Sequence, residues 1–147
     1  MVGLPGAVLF ACSMNAVRSP MAEAIMKFHY GHVVYVDSVG VRVAALDPFA
    51  VAVMDEIGID LARHHPKSFD DIEDDSFDLV VTLSPEAQHR AVEMTRTMAC
   101  EVEFWNTFDP SIVEGNRETR LAAYREVRDR LTERIRARFP PPPPPVV

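Results

Sequence analysis

Short unbroken apolar runs alternate along this chain with stretches whose apolar residues recur every three or four positions. Ala7-Val8-Leu9-Phe10-Ala11 and Leu79-Val80-Val81-Thr82-Leu83 are runs of the kind that parallel strands show when both faces are covered. Val33-Val34-Tyr35-Val36, ending in Asp37-Ser38, and Val102 to Trp105 read as two further strands. Ser19, an N-cap, followed by Pro20 predicts a helix over 20–30, with Met21, Ile25 and Phe28 at helical spacing. Asp47-Pro48 repeats that signal: Phe49, Val53 and Ile57 form the buried stripe, and Gly58 stands where a C-terminal cap belongs. Ser84-Pro85-Glu86 opens a third helix, carried by Ala87, Ala91, Met94 and Met98. A last helix is predicted over about 118–139, with Leu121, Tyr124, Val127, Leu131 and Ile135 on one face. Strands alternating with helices imply an open doubly wound α/β sheet of about four parallel strands with helices on both faces.

The remaining segments are polar or proline-rich. Arg63 to Ser76 reads as irregular, with one helical turn over Phe69 to Ile72; Asp70, Asp71, Asp74 and Asp75 lack the ordered spacing of a calcium loop and read as solvated. Pro140 to Pro145 forbid any continuation of the last helix. The expected organisation is one domain over 1–139 and a proline-rich tail over 140–147. The tail is expected to be an extended, exposed polyproline II segment, either passive or a ligand for a proline-reading partner.

Length and charge narrow the class. A chain of 147 residues predicts a single domain. Its net charge of −7 argues against the basic stripe that sequence-independent nucleic-acid binding needs. No apolar run approaches a bilayer span and no basic leader precedes the first strand, so no membrane partner is expected and the cytoplasm is the expected location. The two cysteines, Cys12 and Cys100, are too few for a disulfide framework and form no CxxC pair. Each is read as a thiol, Cys100 as a packing residue. His64 and His65 are adjacent, point apart in most backbones and lack a second ligand pair, so neither a metal nor a cofactor is expected.

In doubly wound sheets, ligands sit beyond the carboxyl ends of the strands, near the switch in strand order. The segment after the first strand, Cys12-Ser13-Met14-Asn15-Ala16-Val17-Arg18-Ser19, separates a cysteine from an arginine by five residues, before a helix start. A loop this short can wrap the amides of Ser13, Met14, Asn15, Ala16, Val17 and Arg18 around one tetrahedral oxyanion, and the helix dipole adds positive potential. That field favours the nucleophilic, anionic form of a sulfur in general. Arg18 offers a planar fork matched to two phosphate oxygens.

The run VLFACSMNAVRSPMAEAI resembles the opening of low-molecular-weight protein tyrosine phosphatases and the related thioredoxin-coupled arsenate reductases. The resemblance extends through Val36-Asp37-Ser38, Gly58-Ile59-Asp60-Leu61 with His64, and Asp109-Pro110, to about Phe139. It implies a cysteine nucleophile at Cys12, phosphate binding by Arg18 and a general acid at Asp109. It further implies that Ser19 hydrogen-bonds the sulfur, that Asn15 orders the loop with Ser38 bracing it, and that His64 supports it from behind.

Several positions depart from the family pattern. Met14 stands in place of a small glycine and Val17 in place of a second cysteine. Ser111-Ile112-Val113 and Val41-Arg42-Val43 stand where phosphotyrosine-directed members have aromatic walls. The arsenate reductases use two further cysteines after the third strand, and here Ser84 to Met98 contains none, which leaves Cys100 as the spare sulfur.

The implied function is phosphomonoester hydrolysis, as a protein tyrosine phosphatase, through a cysteinyl-phosphate on Cys12. The implied partners are a phosphotyrosyl protein or a small phosphomonoester, with phosphate, vanadate and arsenate as oxyanion ligands. The alternatives are an arsenate reductase-like enzyme and a non-catalytic phosphoanion-binding domain.

Overall fold

Val8, Leu9, Phe10 and Ala11 are wholly buried, because the strand they form has a neighbour on each edge and helices over each face. The computed structural model describes residues 3–72 and 76–146. Strands β1 (Ala7–Cys12), β2 (Tyr35–Gly40), β3 (Leu79–Thr82) and β4 (Glu101–Phe104) are all parallel, in the order β2-β1-β3-β4. Four helices connect and follow them: α1 (Arg18–Tyr30), α2 (Pro48–Asp55), α3 (Pro85–Met94) and α4 (Arg117–Arg138). The chain leaves β1 for β2 on one side and later returns to β3 on the other, so the switch in strand order lies at the carboxyl end of β1, where Cys12 stands.

Period-two alternation divides the core. Val8, Phe10 and Cys12 face a large cluster with Met21, Ile25, Tyr124 and Ile135 from α1 and α4, whereas Leu9 and Ala11 face a smaller one with Ala87 and Ala91 from α3. Helices therefore cover both faces of the sheet, and α4 packs on α1 and α2. Asp47 ties three of these parts together. Its Oδ1 accepts from the Phe49 amide at the start of α2, its Oδ2 accepts from the Tyr124 hydroxyl at 2.6 Å, and its amide donates to the Ala16 carbonyl. Burial, with this hydrogen bond, pushes the Tyr124 phenol well above its ordinary value.

Several boundaries differ from those expected. β2 begins at Tyr35 rather than Val33, because the Val33 and Val34 amides both close on the Tyr30 carbonyl in a turn after α1. α1 begins at Arg18, so Ser19 lies inside the first turn and is not the N-cap; Val17 holds that position with no side-chain bond. Phe28 and Ile57 stand exposed, the latter because α2 ends at Asp55 and Gly58, at φ 78°, turns the chain away. Met98 lies beyond α3, and β4 spans Glu101–Phe104 rather than 102–105. α4 starts one residue early, capped by Asn116. The helical turn near Phe69 is a 3₁₀ turn over Phe69–Asp71, in which Asp71 accepts from the Ser68 amide and Asp70 faces Arg90 at 3.5 Å. Asp74 and Asp75 lie outside the described residues.

After α4, Phe139 is buried against Tyr30, whose hydroxyl donates to the Phe139 carbonyl. Farther on, His32 Nε2 donates to the Pro143 carbonyl at 2.7 Å. No helix among the described residues is long and apolar enough to cross a membrane.

Candidate active site

Cys12 ends β1 with its side chain on the α1 face, only 2% exposed. The loop from 13 to 17 then coils over it into α1. Its carbonyls point outward: Val41 donates to Cys12, Arg42 to Ser13, Ala44 to Met14 and Asp47 to Ala16. None of the amides of residues 13–18 donates to a protein acceptor among the described residues. An unspent ring of donors before a helix N-terminus is the arrangement that cradles a tetrahedral anion.

Gly40 makes that coil possible. A Cβ there would lie 2.6 Å from the Asn15 amide nitrogen and 2.4 Å from the Arg42 carbonyl oxygen. Both are backbone atoms, so the loop would have to move.

Asn15 holds the loop from behind, in the left-handed region at φ 55°. Its Nδ2 donates to Ser19 Oγ at 2.9 Å and to Ser38 Oγ at 3.0 Å. Its Oδ1 accepts from His64 Nε2 and from the Lys67 amide, each at 2.9 Å. Because Ser19 Oγ accepts from Asn15, its own proton is left for Cys12 Sγ at 2.9 Å or the Val39 carbonyl at 3.2 Å. Ser38 in turn donates to Glu23 Oε1 at 2.6 Å, and Glu23 pairs with Lys27. Every side chain in this cluster has a partner, as buried polar groups require.

His64 must carry its proton on Nε2, since Asn15 Oδ1 only accepts; Nδ1 faces Glu23 Oε1 at 3.7 Å. Burial pushes the imidazole below its ordinary 6.5, against the attraction of Glu23. The unfolded chain therefore takes up this proton at a higher pH than the folded one, and stability is lost as pH falls from 6.5 toward the folded value. Melting temperature is expected to decline over that range, and His64→Gln, which keeps a donor for Asn15, to flatten the decline. His29, also lowered by burial and by Arg136, leaves a residual slope. An identical slope in the variant would assign the effect elsewhere.

A cleft of about 720 Å³ opens over the loop, lined by Cys12, Ser13, Met14, Ala16, Val17 and Arg18. Arg18 Nη1 donates to the Thr107 carbonyl at 3.0 Å, which fixes the guanidinium beneath the segment after β4. Asp109, on that segment, lines the same cleft. Its Oδ1 accepts from the Ser111 amide and hydroxyl, and its Oδ2 lies 4.0 Å from Arg18 Nη2. The sheet thus brings Cys12, Arg18 and Asp109 to one edge, with Ser19, Asn15, Ser38 and His64 behind the loop. A second hollow of about 800 Å³, between α4 and residues 106–108, is lined by Arg130 and Arg134 but by no cysteine.

The sequence profile of the low molecular weight phosphotyrosine protein phosphatases matches residues 7–139. The chain belongs to this family. It is 36% identical over 129 residues to an arsenate reductase of Bacillus licheniformis, covering 88% of this chain and 91% of that one. Two solved structures resemble this member of the family in fold. An arsenate reductase in its phosphate-binding state matches with a TM-score of 0.67 at 27% identity, covering 89% of this chain and 94% of that one. YwlE arginine phosphatase, in a variant with a phosphorylated active-site serine, matches with a TM-score of 0.73 at 25% identity, covering 88% and 91%. The family is thus one of enzymes, and its named members include both phosphatases and arsenate reductases.

Some cleft residues carry no signal in the sequence. Phe49 fits the apolar stripe of a helix, yet its half-buried ring lines the cleft, where neither Val41-Arg42-Val43 nor Ser111-Ile112-Val113 supplies an aromatic residue. Arg117 and Arg120 read as the polar face of α4 and line the same cleft. Glu23, on α1, is 7% exposed, and its burial was masked by a helical pattern in which it takes a surface position. Gly40 had a possible signal, a glycine directly after strand-forming residues.

Proposed function

We propose that this family member is a metal-independent phosphomonoester hydrolase of the protein tyrosine phosphatase type, working through a phosphorylated Cys12. The observation that carries this reading is the convergence of Cys12 Sγ, the undonated loop amides and Arg18 on one cleft with Asp109. The phosphoryl group sits in the amide cradle with two oxygens on the Arg18 fork. Sγ attacks phosphorus, the S–P bond forms, and the bond to the leaving oxygen breaks as Asp109 delivers its proton there. Asp109, now ionised, takes a proton from water; the water oxygen bonds to phosphorus, and the S–P bond breaks to release phosphate. Arg18 and the amides meet the charge of both transition states.

The arsenate reductase name of a 36% identical relative favours a second reading, reduction of arsenate through a relay of thiols. The position of Cys100 argues against it. Cys100 directly precedes β4, whose first residue pairs with Leu79, and Leu79 pairs with Val8, so Cys100 lies at the amino edge of the sheet. Cys12 ends β1 at the opposite edge, roughly 16 Å away along the strands at about 3.3 Å per residue. Burial also pushes the Cys100 thiol up, away from the reactive thiolate.

Rapid mixing with an aryl phosphate tests the two readings together. A burst of phenol stoichiometric with enzyme, followed by slower steady turnover, is expected. Arsenate with thioredoxin, its reductase and NADPH is expected to give little oxidation. Absence of a burst together with arsenate-dependent NADPH oxidation would reverse the assignment.

A further inference from the structure

The four arginines of the cleft divide into two kinds. Arg18 is committed to the Thr107 carbonyl, and Arg42 is paired with Glu86. Arg117 and Arg120, from the first turn of α4, make no ion pair and no side-chain hydrogen bond among the described residues. Both are nevertheless positioned, because their guanidinium carbons stack on the Phe49 ring at 5.3 and 4.4 Å from its centroid. The contact anchors each guanidinium at the ring and leaves its N–H groups without a protein acceptor among the described residues. The two carboxylates of the cleft are already engaged, Asp47 by the Phe49 amide and the Tyr124 hydroxyl, Asp109 by Ser111. With Arg42 balanced by Glu86, three guanidiniums remain against two carboxylates, so the mouth of this cleft keeps a local positive excess on a chain of net charge −7.

We propose that Phe49, Arg117 and Arg120 form a second anion subsite, which selects phosphotyrosyl segments carrying Asp or Glu beside the phosphotyrosine. This inference rests on the phosphomonoesterase reading and names its substrate class. The phosphate occupies the loop, the aryl group lies over Met14, Leu46 and the Phe49 edge, and a flanking carboxylate reaches the two free guanidinium forks. A cleft of about 720 Å³ holds far more than a phosphate and accommodates such a segment. Arginine suits the role because its fork meets a carboxylate with two parallel hydrogen bonds.

The test uses binding to Cys12→Ser protein, so that turnover does not enter. A phosphotyrosyl peptide with Glu on both flanks is compared with the same peptide carrying Gln there. At low ionic strength the acidic peptide is expected to bind about 3- to 20-fold tighter, the range for two partly exposed charge pairs. Adding Arg117→Gln and Arg120→Gln is expected to bring the ratio below about twofold, and Lys at both positions to restore part of it. Raising salt to about 0.3 M is expected to move the ratio toward one in the Cys12→Ser protein itself, which needs no further variant to fold. A ratio near one at low salt, or a preference that persists in the double Gln variant or at high salt, overturns the subsite. The aryl phosphate burst of the unaltered protein reports on the hydrolase reading separately: a burst without a peptide preference removes only the subsite, and a preference without a burst removes only the hydrolase.

Discussion

Cys12→Ser is expected to lower aryl phosphate turnover by roughly 10⁴- to 10⁶-fold, the scale seen when an enzyme loses its covalent nucleophile. A hydroxyl at this position ionises far less readily than a thiol and is a poor nucleophile without an adjacent base. The hydroxyl beside it, Ser19 Oγ, is no base, since it already accepts from Asn15. The cradle itself should survive, because the bonds that hold it run through Asn15, Ser38, His64 and the carbonyls of the loop and not through sulfur. Phosphate should therefore still bind the variant, as calorimetry or protection against thermal unfolding would show. Chelators should leave the unaltered enzyme's rate as it is. Undiminished hydrolysis by the serine variant would sink the mechanism, whatever its affinity for phosphate.

Asp109→Asn is expected to slow phenyl phosphate hydrolysis by about 10² to 10⁴-fold, the usual contribution of a positioned general acid. The effect should depend on the leaving group. Phenolate, whose conjugate acid has a pKa of about 10, needs the proton as the P–O bond breaks, whereas a nitrophenolate leaves with little help, so its ester should be slowed much less. Local structure should persist, because an asparagine carbonyl can still accept from the Ser111 amide and hydroxyl that now hold Oδ1. Full rates on both esters would move the role to another carboxylate. Glu114, on the same loop, would be the next to test; Asp78 is excluded by position, since its carboxylate accepts from the Ala7 amide at the amino edge of the sheet.

The sequence by itself determined the elements and the loop from Cys12 to Arg18, for local reasons. Val8 to Ala11 and Leu79 to Val81 are apolar at every position, and only strands covered on both faces bury such runs. Cys12, Arg18 and the five residues between them are contiguous, so their chemistry is readable from spacing alone. What the sequence left undecided are features in which distant segments share one atom or one volume. Ser19 looks like an N-cap because serine before proline usually is one. Its hydroxyl instead joins Cys12, Asn15 and Val39, which meet only after β1, the loop and β2 have packed together. Phe49 and Arg120 are 71 positions apart and carry no joint signal, yet the packing of α2 on α4 stacks one on the other at the mouth of the cleft. The position of Cys100 follows from strand register, which sets it at the edge of the sheet away from Cys12. Hydrophobic periodicity reports what each residue faces within its own element. Which side chains converge on a phosphate depends on the order of the strands and on where each helix starts, and those are decided only when the whole core closes.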